Sequence, residues 1–272
     1  MMDTPLTDIA ALGRNRHRAA RAPALFLHEA AADEIQHRLG MVNKTFHAPA
    51  VVTGWPDFWG RRFPDARVVA DSETLDLAPG GHDLVIHAMA LHWANDPVGQ
   101  LIQARRALVP DGLLLGALPG GETLHELRSA LAQAEADIFG GLSPRVLPMS
   151  EIRDLGALLQ RAGLALPVAD SVPLGVNYRD LVHLMHDLRA MGEGNAMTMR
   201  RRQPTRRALF RKAAQIYADT FGDGAGRIRA TFDLIFLTGW APDDSQPKPL
   251  RPGSAAARLA DVLRTEEKPM KD

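Results

Sequence analysis

No cysteine occurs in the 272 residues. That absence excludes disulfides, a thiolate nucleophile, zinc–thiolate sites and thiolate-held iron–sulfur clusters, and it is compatible with a reducing compartment. An excess of charge of either sign is also lacking, since 32 basic residues face 32 acidic ones and the formal net charge is zero. Non-specific nucleic-acid binding by the whole protein is therefore not expected, because it depends on a positive surface that neutralises phosphates. No apolar run approaches the length that spans a bilayer, and the start of the chain lacks the basic-then-apolar order of a signal peptide. The expectation is a cytoplasmic protein without a transmembrane segment. What is present is ordinary globular material, 46% hydrophobic, enough for one large domain or for one domain with a helical subdomain.

Residues 1–22 are rich in alanine and arginine, with Arg14, Arg16, Arg18 and Arg21. They read as a solvated basic arm or the start of a helix, because Asp3 and Asp8 argue against a transit sequence. The main domain is expected over 23–242, with a helical insertion at about 178–221 and a proline-rich, then charged tail over 243–272. Leu25, Leu27, Ala31, Ile35 and Leu39 mark an amphipathic helix. Ala50–Thr53, Arg67–Asp71 and His82–His87 read as strands, the last as a buried parallel strand. Asn95 or Asp96 can cap the next helix, with Pro97 at its first position. Pro110-Asp111-Gly112 then turns the chain into a strand over Leu113–Leu118. Helices are expected at Thr123–Asp137 and at Ser150–Arg161, the latter capped by Ser150. The last strands are expected at Leu166–Val176 and Thr231–Trp240.

The most telling stretch is Leu91-His92-Trp93-Ala94-Asn95-Asp96-Pro97, followed by Pro110-Asp111-Gly112 and by Gly120-Gly121-Glu122-Thr123-Leu124. With Asp154-Leu155-Gly156, Met191-Gly192-Glu193-Gly194-Asn195 and Thr238-Gly239-Trp240, these motifs resemble the class I S-adenosylmethionine (SAM) methyltransferase family. The likeness is greatest to the branch that contains a mitochondrial complex I assembly factor that hydroxylates an arginine, together with bacterial methyltransferase-like relatives. It covers roughly residues 10 to 260. It implies a Rossmann-like α/β fold, SAM as cofactor and a site at the carboxyl ends of the strands.

The family's glycine-rich cofactor motif is degenerate or deleted here. After Val51-Val52-Thr53 comes Gly54-Trp55-Pro56-Asp57-Phe58-Trp59-Gly60, without the glycines that let backbone approach a ligand. A strand–helix–strand unit takes about 30 residues, so the interval from Val51 to Ile86 admits one intervening strand where the family has two. A mostly parallel sheet one strand short of the usual seven follows. Because Ala70-Asp71-Ser72-Glu73 resembles the family's loop after strand three, the second strand and the carboxylate that would hold the ribose are expected to be missing. The surviving cofactor positions are then Thr53, Gly54, Asp71, Ser72, His87 and Leu91, with Asp71 accepting from an adenine amino group. His92 is the candidate general base, and Trp93, Asn95, Glu122, Glu193 and Asn195 are the candidate substrate contacts. Glu122 also reads as a first-turn carboxylate, and the Glu193–Asn195 loop as a lid.

No metal is expected. His183, His186 and Asp187 share a helix, but their spacing matches no strong ligand motif. Arg200 to Lys212 is the densest basic segment, and on a helix it makes a positive face for an acidic protein partner. Gly222, Gly224 and Gly226 read as a connector. The resulting expectation is a methyltransferase-family protein with a degenerate cofactor site. The alternative is a non-catalytic binding or assembly factor with a respiratory complex I-like partner. Peptidyl-arginine hydroxylation is the third reading, without an obvious iron facial triad in the sequence.

Overall fold

The computed structural model describes residues 5–247. In chain order the elements are α1 (Ile9–Ala19), α2 (Phe26–Met41), β1 (Pro49–Thr53), α3 (Pro56–Arg62), β2 (Arg67–Ala70), β3 (His82–Ala88), a 3-10 turn over Leu91–Trp93 and α4 (Pro97–Ala107). There follow β4 (Leu108–Gly120), α5 (His125–Phe139), α6 (Ile152–Arg161), β5 (Ala165–Tyr178), α7 (Leu181–Ala190), α8 (Arg207–Phe221) and β6 (Ile228–Trp240).

The strands form one six-stranded sheet in the order β2-β1-β3-β4-β6-β5. The pairs β1–β2, β1–β3 and β3–β4 are parallel, and β6 lies antiparallel between β4 and β5. This is the Rossmann-like, mostly parallel architecture that the resemblance implies, with the one strand fewer expected from the short interval between Val51 and Ile86. One correction concerns which position is empty. β2 pairs directly with β1 and forms the edge, so the place beside β1 is filled and, among the described residues, the next place outward has no strand. Asp71 follows β2, which puts a carboxylate at the end of the strand beside β1 after all.

Side-chain alternation divides the core between the two faces of the sheet. On β6, Phe232, Leu234 and Phe236 face the side covered by α2, α3, α5, α7 and α8, with Ile35, Val51, Trp59 and Ile86. Ile235 and Leu237 face the α4 and α6 side, with Val52, Val85, Leu101 and Leu159. Each such aliphatic or aromatic side chain contributes about 1.5–3 kcal/mol when fully buried.

Helix starts follow local chemistry. Asp96 accepts from the Gly99 N–H at 2.8 Å, with Pro97 in the first turn of α4. Asp8 and Asp180 cap α1 and α7 in the same way, at 3.0 and 2.7 Å. Ser150 does not cap α6. Glu151 stands at that position without a side-chain bond, and the Ser150 carbonyl accepts instead from Gly121 N–H at 3.0 Å.

Residues 9–19, expected in a basic arm, form α1 with Ala11, Leu12 and Ala19 buried. The chain just before α1 is tied to the loop after α7: Asp8 N–H donates to the Ala196 carbonyl and Thr198 N–H to the Leu6 carbonyl, both at 2.8 Å. The expected basic helix over Arg200–Lys212 is not formed, because α8 begins only at Arg207, beyond Pro204. Arg200 bonds Asp8 at 2.8 Å, Arg201 stacks 5.0 Å from the Phe139 ring centre, and Lys212 pairs with Asp137 at 3.3 Å. Asp243 begins a second unit, of which residues 243–247 are described. Within it Asp243 accepts from the backbone N–H and hydroxyl of Ser245, and the rest of the expected charged tail, from residue 248, lies outside the described residues.

Candidate functional site

Parallel strands deliver their carboxyl ends to one edge of the sheet, and there the chain makes a strained turn. Met89, just past β3, has φ of 52°, a left-handed conformation that costs a non-glycine residue about 1–3 kcal/mol and tends to mark functional sites. Its N–H is held by the Ala117 carbonyl of β4 at 2.8 Å. The 3-10 turn that follows presents His92 and Trp93. Opposite them, Gly192 (φ 81°) turns the chain after α7 and brings in Glu193. The Trp93 Nε1–H donates to Glu193 Oε2 at 2.7 Å, and His92 Nε2 lies 3.1 Å from the same oxygen.

These groups border a cavity of ≈ 80 Å³ whose walls include Leu27, Met89, Leu127, Leu188 and Phe232. It is about half the ~150 Å³ of an apolar cavity that holds benzene. Burial opposes the charge on Glu193, but the adjoining His92, the nearby Arg16 and the Trp93 N–H outweigh it and hold the carboxyl at about 2. Because the carboxylate accepts from His92 Nε2–H, the other ring nitrogen is left over: Nδ1 is buried and without a partner. A carboxylate-oriented imidazole with a free nitrogen can accept or donate one hydrogen bond to a group that enters the cavity.

A second histidine joins from α2. His28 is 2% exposed and borders the same cavity. Trp59 Nε1–H donates to His28 Nδ1 at 3.1 Å, which fixes the neutral tautomer with its proton on Nε2. Burial lowers its pKa from 6.5 to about 4. Sequence reasoning missed His28, and the one available signal was a histidine inside an apolar helical face.

At the ends of β1 and β2 lies a different arrangement. Arg16 of α1 reaches across, and its Nη1 donates to both carboxylate oxygens of Asp71 at 2.8 Å. Both side chains are 14% exposed. The guanidinium packs against Gly54, so closely that a Cβ there would collide with it. A hollow of ≈ 200 Å³ beside Arg16 is bordered by Asp71, Ser72, Trp93 and Asn95.

The expected site residues thus separate into groups. His92, Trp93, Glu193 and Asn195 surround the cavity, while Asp71, Ser72, Trp93 and Asn95 border the hollow. Thr53 is buried at the end of β1, where its hydroxyl accepts from Trp55 N–H at 3.1 Å. Asn95 is engaged by the chain start, accepting from Thr7 N–H at 2.8 Å and donating to the Thr7 carbonyl at 3.2 Å. Three candidates border neither space. His87 is fully buried on the α4 side, 2.6 Å from Gln100 Oε1, and borders neither space. Leu91 packs into the core on the α4 side. Glu122 stands in the turn before α5, 69% exposed in its side chain, whereas Glu126 in the first turn of α5 is buried and accepts from Thr231 Oγ1 at 2.6 Å.

Comparison with known proteins decides the family. A methyltransferase-domain model matches residues 52–116. The chain is 31% identical over 226 residues to the malonyl-[acyl-carrier protein] O-methyltransferase of Methylovorus sp. (strain MP688), across 80% of this chain and 72% of that protein. This chain belongs to the class I methyltransferase family. It is also 40% identical over 199 residues to the mitochondrial arginine-hydroxylase NDUFAF5 of Danio rerio, across 73% of this chain and 62% of that protein. The chain therefore spans about three fifths of the length of that relative.

A class I methyltransferase holds SAM across the ends of its first two strands, where bare backbone approaches the ligand and a carboxylate takes the ribose hydroxyls. Arg16 lies in the space over Gly54, both Asp71 oxygens are engaged by it, and Pro56 turns the chain into α3 directly after β1.

Proposed function

We propose that this chain is a methyltransferase-family protein with a degenerate cofactor site, acting by binding a protein partner rather than by methyl transfer. The observation that carries this reading is the Arg16–Asp71 pair packed over Gly54. Breaking a mostly buried ion pair by taking one partner away costs about 3–5 kcal/mol. At 1.4 kcal/mol per decade, a cofactor that displaced Arg16 from Asp71 would lose roughly two to four orders of magnitude in affinity. A micromolar ligand would become one of about 0.1 mM to several millimolar.

The cavity beside His92 survives that loss. Its walls are mainly aliphatic, and its polar groups are already oriented by one another, so it suits an apolar side chain that brings a single hydrogen-bonding group to His92. The arginine-hydroxylase relative and the sequence resemblance to a complex I assembly factor support a partner of the respiratory complex I type. The test is a calorimetric titration of the native chain with SAM and with S-adenosylhomocysteine. No binding tighter than about 0.1 mM is expected; micromolar binding, with methyl transfer to an acceptor in cell extract, overturns the proposal.

A further inference from the structure

Arg16 occupies a site shaped to it. Asp8 caps α1, and Ala11, Leu12 and Ala19 turn inward and set the helix against the domain. The Arg16 stem crosses Gly192, where an added Cβ would stand 3.0 Å from Arg16 Cγ and 3.3 Å from the Trp55 ring. Gly192 also has φ of 81°, so its missing side chain serves both the turn and the approach of the stem. The guanidinium then meets Gly54, again at a place no Cβ could share, and ends on Asp71. Its Nε is buried without a partner. One bare glycine and one carboxylate thus meet the planar cation, while a second bare glycine leaves room for its stem.

We propose that the ends of β1 and β2 form a guanidinium-binding socket, built from Gly54 and Asp71 and reached across Gly192, which Arg16 fills from within the chain and a free guanidinium compound fills once Arg16 is removed. The proposal rests on the reading that the cofactor end is closed. It also gives α1 a second role, because the helix that fills the socket holds the loop carrying Glu193. Asn15 Nδ2 donates to the Gly194 carbonyl at 2.8 Å, and Arg200 pairs with Asp8 at 2.8 Å. Arg16 therefore cannot leave its socket with α1 without releasing the loop that positions Glu193 against His92 and Trp93.

The test is chemical rescue of Arg16→Ala, with methylguanidinium chloride as the probe and sodium chloride at equal ionic strength as the control, read by thermal unfolding. A ligand at ten times its dissociation constant should raise the midpoint of a domain this size by about 3–6 °C. That rise is expected for Arg16→Ala, and neither for the native chain nor for the Arg16→Ala/Asp71→Asn double variant. Should Arg16→Ala fail to fold, Arg16→Met keeps the stem over Gly192, and guanidinium chloride replaces the probe under the same sodium chloride control. An absent rise in a folded variant, or an equal rise in the double variant, overturns the socket. So does micromolar SAM binding by Arg16→Ala when the native chain binds none, because the vacated space is then a cofactor site. Micromolar SAM binding by the native chain instead overturns the closed-cofactor reading.

Discussion

Replacing Glu193 by glutamine keeps the shape of the side chain and removes its charge, and the structure gives a magnitude for the change. The carboxyl group is held at about 2 against an ordinary 4.5. At 1.36 kcal/mol per pKa unit, the charged form is favoured in the folded state by about 3 kcal/mol. The sign is that of a depressed carboxyl: the stabilisation is complete above pH 4.5 and is lost as pH falls toward 2. Glu193→Gln should therefore lose about 2–3 kcal/mol at neutral pH. One kcal/mol moves the midpoint of a domain this size by roughly 2–4 °C, so its thermal midpoint should fall by about 5–10 °C. Near pH 3 the native chain has itself lost more than half of this stabilisation, and the gap between the two proteins should shrink to about 1–1.5 kcal/mol. Scanning calorimetry of both proteins between pH 7 and pH 3 checks this. A gap under about 0.5 kcal/mol at pH 7, or one that stays constant down to pH 3, refutes the assignment of an ionised Glu193 between His92 and Trp93.

His28 gives a separate acid window. Its folded pKa of about 4 lies below the ordinary 6.5, so its contribution is intact above pH 6.5 and is lost as pH falls toward 4, by about 3 kcal/mol in all; urea unfolding across this range should show a slope that His28→Phe removes. Glu122→Ala should change stability by less than about 0.5 kcal/mol, since its side chain is 69% exposed. Glu126→Ala should cost about 1–3 kcal/mol, because the Thr231 N–H and hydroxyl that donate to Glu126 lose their partner; urea titrations of the two variants side by side decide between the neighbouring carboxylates.

The strands and helices were readable because they obey local rules. Asp96 and Pro97 announce α4 whatever the rest of the chain does, and a strand–helix–strand unit cannot be shorter than its parts, so the interval from Val51 to Ile86 predicted a six-stranded sheet. The boundary of α8 was equally available: Pro204 interrupts the basic run, and a reading by charge alone carried the helix through it. His87 was harder. In a strand buried on both faces, apolar residues fill odd and even positions alike, so the pattern does not say which face a histidine takes. Glu122 stands in the turn before α5 and Glu126 in its first turn, and which of them is buried depends on how α5 lies on β6.

The motif order by itself determined the family, the interval from Val51 to Ile86 the number of strands, and together they pointed to the edge of the sheet where the strands' carboxyl ends lie. The tertiary structure alone decided what fills that edge. Arg16 meets Asp71 across 55 residues, Trp93 meets Glu193 across 100, and Trp59 meets His28 across 31. None of these pairs lies within one helix or at one turn, so no periodicity in the chain encodes them. The first two form because parallel pairing brings the ends of β1, β2 and β3 together and because α1 and the loop after α7 close over those ends, and the third because α2 and α3 pack on the same face of the sheet. A basic residue in a run of arginines is, in sequence, one charge among several; it becomes the occupant of a site only when two glycines 138 residues apart leave room for it.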